Sequence, residues 1–273
     1  MATDFDPGYL TAPFDQLCRD FPDSSVYPAS DFRVEWGPVF HRGRLDGSAR
    51  VLIIGQDPAQ HEEIARRILV GTAGHRIQGF LSKLGIDRSY VMINTFLYSV
   101  YGQGGGERHR ADPAIAAYRN RWLDALLTNS EVEAVVALGS LADGAWQAWR
   151  RTRSGQHYRG AYAHITHPTQ PESSSGGSRQ KHAAAIAAML RNWNEALEPL
   201  EAAIEHPDRD RALVRYGNAF VDGDLVGIPA ADLPAGSPPW MLGQRQWATR
   251  TGATSAEKRF NVRITVPAEF RKQ

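Results

Sequence analysis

Residues 51–59, Val-Leu-Ile-Ile-Gly-Gln-Asp-Pro-Ala, constrain this chain more than any other stretch. A short apolar, mostly β-branched run bounded by Gly and Pro reads as a buried strand. In an open α/β fold, residues leaving the carboxyl end of such a strand face the ligand crevice. The turn therefore delivers Gln56 and Asp57 to a candidate site. It holds one glycine, not the repeated glycines with which a backbone wraps a pyrophosphate, and this disfavours a dinucleotide or P-loop site.

The strand signature recurs at residues 90–93, 134–138 and 162–165, with helix-like segments between at 62–84, 113–127 and 141–150. The first of these is interrupted near residues 71–74, and Pro113 is well placed at a helix start. Right-handed crossovers between such strands predict an α/β fold, a three-layer α/β/α sandwich around a central four-stranded parallel sheet. Its carboxyl edge collects Gln56 and Asp57, then Asn94, then Gly139 and Ser140, then His167 and Pro168. A further helix is expected over residues 180–197, after a Ser/Gly-rich loop. Residues 1–49 read as a segment wrapping the core, anchored by Trp36, Phe40 and Leu45, and residues 50–197 as the catalytic core. Residues 198–273 read as a small β-rich appendage built on alternating runs at 212–226 and 260–266.

A formal net charge of +1 makes the whole molecule no polycation, so any nucleic-acid contact must be local. Residues 150–191 carry seven basic residues against one acid, Glu172, and are the expected phosphate-facing surface. The single cysteine, Cys18, excludes an intramolecular disulfide and a four-cysteine metal or iron–sulfur site, which fits a reducing, cytoplasmic setting. The acidic N-terminus lacks a signal-peptide pattern, and no apolar run approaches the ~20 residues that span a bilayer. No membrane association is expected.

Four segments together resemble the uracil-DNA glycosylase superfamily, over roughly residues 50–195. Gly55-Gln56-Asp57-Pro58-Ala59 resembles its water-activating motif, and His167-Pro168-Thr169 its second, DNA-entering motif. Val70-Gly71-Thr72-Ala73-Gly74 resembles a segment of the iron–sulfur branches, without their cysteines. Asn94 stands where the family keeps its uracil-reading asparagine. The resemblance implies a DNA glycosylase of base excision repair, acting on uracil-containing single- or double-stranded DNA by flipping the base, with no cofactor and no metal, as a monomer.

The chemistry asks for the same residue types. Cleaving the uracil–deoxyribose bond develops a cationic sugar and an anionic base, so opposite charges need stabilising a few ångströms apart. Asp57, ionised, suits the sugar and the attacking water. His167, neutral and donating to uracil O2, suits the departing anion. Asn94 can accept from N3–H and donate to O4, which cytosine presents in reverse. Gln56, Ala59 and Leu69 are expected to complete the base pocket, and Thr169, Gln170, Ser173, Ser174, Ser175, Arg179 and Lys181 to contact DNA. No lysine stands at a strand end, so a Schiff-base lyase step is not expected.

Ala59 replaces the aromatic that excludes the thymine methyl group in the family's common form, Leu69 replaces a stacking phenylalanine, and Pro171 replaces a leucine wedge. Phe80, Phe96 and Tyr98 are expected in the core rather than as substitute platforms. A binding or covalently trapping protein of the same fold is the alternative, with His109 in a glycine-rich basic loop as its candidate nucleophile. A metal-assisted hydrolase would use Asp57, His61, His164 and His167, but His164 and His167 are expected to face opposite sides.

Overall fold

The computed structural model describes residues 10–271, apart from residues 103, 129 and 244. A short helix α1 (Phe14–Arg19) precedes strand β1 (His41–Gly43), and β2 (Val51–Gly55) leads into α2 (Gln60–Ala65) and α3 (Thr72–Lys83). Then follow β3 (Tyr90–Asn94), α4 (Gly105–Arg108), α5 (Pro113–Leu127), β4 (Ala134–Leu138), α6 (Gly139–Arg150), β5 (Ala161–Ile165), α7 (Gln170–Ser174) and α8 (Arg179–Ala203). The remaining elements are α9 (Trp240–Gly243), β6 (Ala248–Arg250), α10 (Ser255–Phe260) and β7 (Val262–Ile264).

The central sheet has five strands rather than four, in the order β1-β3-β2-β4-β5. The four expected strands are parallel, and β1 adds antiparallel to β3 with His41 opposite Ile93. Its sequence, His-Arg-Gly, looks like surface, yet His41 and Arg42 are fully buried. Burial is possible because Arg42 meets the Asp232 carboxylate at 3.0 Å and Gln78 Oε1 at 3.1 Å. A charge is tolerated inside when it is paired and hydrogen-bonded.

Side chains alternate across the sheet, as the pleat requires. Leu52, Ile54, Val91, Ile93, Val135 and Ala137 share one core with residues of α5 and α6, including Trp122 and Trp146. Val51, Ile53, Met92 and Val136 share the other with residues of α3 and α8, including Phe80 and Trp193. Asp112 caps α5 by accepting from Ala114 and Ile115 N–H, ahead of Pro113 at the first helical position.

The C-terminal region differs from its expected form. Residues 212–226 form no strand: Tyr216 and Phe220 pack edge-on against Trp193, and Asp222–Asp224 make a single 3₁₀ turn. The alternation there reflects a segment wrapping α8. The second run supplies β7, which pairs with β6 in a two-stranded antiparallel ladder. The region is clamped to the core by ion pairs, Lys83–Asp224 at 2.7 Å and Arg250–Glu63 at 2.6 Å. Asp208 accepts the backbone N–H groups of Asp87, Arg88 and Ser89. Gly79 in α3 makes room for this wrapping, since a Cβ there would lie 2.0 Å from the Asp224 carbonyl oxygen.

Candidate active site

The carboxyl ends of β3, β2, β4 and β5 stand side by side, with Gly55 in register with Asn94. They open on a cavity of about 680 Å³ whose wall includes Gln56, Asp57, Ala59, Leu69, Asn94 and His167. Neighbouring strands are ~4.8 Å apart, so β2 and β5, which deliver Asp57 and His167, are separated by about 10 Å along the edge. The intervening strand β4 runs into Gly139, the first residue of α6, which has no side chain and φ +80°, and a Cβ there would lie 3.1 Å from His167 Cβ. This glycine keeps the gap open.

The turn carrying Asp57 is pinned from the neighbouring strand. Thr95 Oγ1 donates to the Gly55 carbonyl, and Phe96 N–H donates to that of Gln56. Val100 N–H donates to Asp57 Oδ2 at 2.9 Å. Val100 is itself held by the N-terminal segment, through a bridge with Phe32 and a hydrogen bond from Arg33 to its carbonyl. Asp57 retains some access to cavity water. Enclosure by protein raises its pKa from 3.8 to about 6, against the lowering effects of the Val100 N–H and the Arg33 charge.

His167 is fixed at both of its chain neighbours. Thr166 N–H donates to Asn192 Oδ1, and Trp193 Nε1 donates to the Thr166 carbonyl, so α8 holds the exit of β5. Arg76 donates to the Pro168 carbonyl and grips Glu172 through both of its terminal nitrogens. Thr169 N–H points to His167 Nδ1 at 3.3 Å, with the Thr169 hydroxyl 3.1 Å away. An Nδ1 that accepts leaves the proton on Nε2. Burial lowers the imidazole pKa to about 4, outweighing the opposite pull of Glu172. The ring is thus neutral with a donor free for a ligand.

Asn94 is buried against Gly55, where a Cβ would lie 2.3 Å from its Oδ1. Leu69 has φ +53°, an uncommon conformation for a leucine, and Gly74 is required beneath it because a Cβ would lie 1.6 Å from the Leu69 carbonyl oxygen. Glu62 joins the two loops: it accepts from Ala59 N–H, and from Val70 and Gly71 N–H. It stands at the capping-box position three residues after Ala59, but Ala59 lacks the hydroxyl that would make the pattern a sequence signature.

Of the expected DNA-contacting residues, Thr169, Gln170 and Ser173 line the cavity. The Thr169 hydroxyl is engaged with His167, and Gln170 and Ser173 lie on α7 rather than on a flexible loop. Ser174, Arg179 and Lys181 are exposed and lie outside the cavity wall, whereas Ser175 is buried. The expected basic surface is divided. Arg150 and Arg151 lie at the far end of α6 from the cavity, and Arg150 donates to the Gly155 and Tyr158 carbonyls. Pro171, Phe80, Phe96 and Tyr98 are all buried.

His109 lies outside the cavity wall, with Nε2 2.9 Å from Asp31 and its ring against Phe32. His61, His164 and His167 all line the cavity, so the last two share it rather than facing opposite sides. Among the described residues, no three histidine, cysteine or carboxylate groups lie close enough to hold a metal ion. The wall also takes Gln60, Thr72 and, from the C-terminal region, Gln246.

A family model described as the uracil DNA glycosylase superfamily matches residues 42–197, more than half of the chain. No curated protein matches it.

Proposed function

Since this chain belongs to the uracil DNA glycosylase superfamily, we propose that it excises uracil from DNA by hydrolysing the N-glycosidic bond, leaving an abasic site. The observation that carries this reading is the grouping of Asp57, Asn94 and a tautomer-fixed His167 around one cavity. A base within a duplex cannot reach the cavity, so the nucleotide is extruded first, at a cost of a few kcal/mol.

Asn94 pairs with the N3–H and O4 of the flipped uracil through one planar amide. Leu69 and Ala59 form the apolar side of the pocket. As the C1′–N1 bond breaks, its electron pair passes to the base, and the charge accumulating at O2 is met by the Nε2–H of His167. A neutral donor suffices, and placing it in advance is worth about 10²–10³ in rate for a single hydrogen bond of this kind. Asp57, ionised above about pH 6, faces the cationic sugar and takes a proton from the water whose oxygen bonds to C1′. The uracil anion then takes up a proton while Asp57 gives its own back to solvent, so the products are free uracil and an abasic deoxyribose. No lysine lines the cavity among the described residues, in keeping with hydrolysis and no Schiff-base step.

Incubating wild type with uracil-containing single- and double-stranded oligonucleotides, followed by alkali, tests the reading. Strand breakage at uracil is expected, and Asp57→Asn should abolish it. No breakage with wild type, or undiminished breakage with the variant, contradicts it.

A further inference from the structure

The cavity extends past the residues assigned above. Its wall also includes Gln60, His61, Thr72 and Gln246. Gln246 lies outside the matched residues 42–197 and reaches the site from a part of the chain 174 residues distant from Thr72.

Its side chain is held in a defined orientation. Gln246 Nε2 donates to Thr72 Oγ1 at 2.7 Å, and Thr72 Oγ1 donates onward to the Arg245 carbonyl at 3.4 Å. One amide N–H is used in this relay, leaving the second N–H and Oε1 for a ligand. The backbone that carries it is also fixed. Trp247 is buried, edge-on to His61 at 4.9 Å, and Arg250 forms a two-point pair with Glu63 at 2.6 and 2.7 Å. A donor and an acceptor thus remain on a side chain tethered to Thr72, next to the buried Trp247.

The surroundings select the partner. The cavity wall includes Asp57 and Glu62, and none of its described residues is a lysine or arginine. A phosphate beside Gln246 would meet no lysine or arginine of the cavity wall. A nucleobase edge is uncharged and carries adjacent donors and acceptors, the pattern that a glutamine amide matches at two points.

We propose that Gln246 reads the nucleobase beside the excised uracil in the substrate strand, so that the C-terminal region sets a sequence-context preference. This inference rests on the uracil-excision reading of the same cavity. The test measures kcat/KM for uracil release from single-stranded oligonucleotides that present each of the four bases on either side of the uracil. Wild type is compared with Gln246→Ala and with Gln246→Met, which keeps length without hydrogen bonding, each checked for an unchanged Tm. Wild type should spread about 5-fold or more across flanking bases, the lower end for a two-point amide–base pair, and both variants should narrow the spread to below about 2-fold. Uniform rates in wild type, or an equal spread in the variants, overturn the role of Gln246 while leaving uracil excision intact. No uracil release from any oligonucleotide overturns the excision reading and this inference with it.

Discussion

Asp57→Asn should make the protein more stable while removing its activity, and the gain should depend on pH in a defined way. The wild-type carboxyl has its pKa raised from 3.8 to about 6 by enclosure in the protein. At ~1.4 kcal/mol per pH unit this corresponds to roughly 3 kcal/mol of native-state destabilisation once the group is ionised in both states. Cavity water screens part of the penalty, leaving on the order of 2 kcal/mol. Because the folded-state value lies above the unfolded one, the favourable contribution of protonated Asp57 is fully present below about pH 4 and is lost as pH rises through about 6. Asparagine keeps an oxygen for the Val100 N–H and carries no charge to desolvate. Its advantage should therefore be absent near pH 4 and reach its full size above about pH 7. For a chain of this size, it amounts to roughly 4–8 °C in Tm, at ~2–4 °C per kcal/mol. Paired thermal melts of both proteins across this range provide the assay. A variant no more stable than wild type at neutral pH, or more stable by the same amount at every pH, refutes the claim that Asp57 is held against its preference for water.

His167→Ala should lower kcat by about 10²–10³, the worth of one preorganised donor, without moving the acid limb of the pH profile. Gly55→Ala, whose Cβ would stand 2.3 Å from Asn94 Oδ1, should lower discrimination between uracil and cytosine in a competition assay. Glu62→Ala leaves the Ala59, Val70 and Gly71 N–H groups without their acceptor and should cost about 2–4 kcal/mol in a denaturant titration, with loss of activity. Arg250→Met strands the buried Glu63 carboxylate and should cost about 3–5 kcal/mol, measured the same way.

Three of the parallel strands were legible because each is a short apolar run buried on both faces, a pattern set by the sheet alone, whereas β5, at the sheet edge, is buried mainly through Ala163 and Ile165. Their order along the chain then fixed the edge at which Asp57, Asn94 and His167 emerge. The fifth strand was illegible for the opposite reason. Arg42 is buried with Asp232, far along the chain, as its countercharge, and His41 is buried against Trp122. The same limit applies to the site. The Asp57 turn and the His167 loop are local motifs, but Arg76, which clamps that loop through Pro168 and Glu172, reads in isolation as an ordinary helical surface residue. Gln246 carries no local signal, since its position is decided by long-range contacts such as Arg250 with Glu63. The basic residues 150–191 misled because clustering in sequence does not survive a helix and a strand that carry Arg150 and Arg179 to different ends of the fold.

The most direct measurement is the pH dependence of single-turnover uracil release between about pH 4.5 and 9. An ionised Asp57 working with an already neutral His167 predicts one limb, with activity lost as pH falls through about 6, and a plateau above it. A rate that rises as the solution becomes more acidic, or a limb at about 6 that persists in residual Asp57→Asn activity and disappears in His167→Ala, contradicts the account.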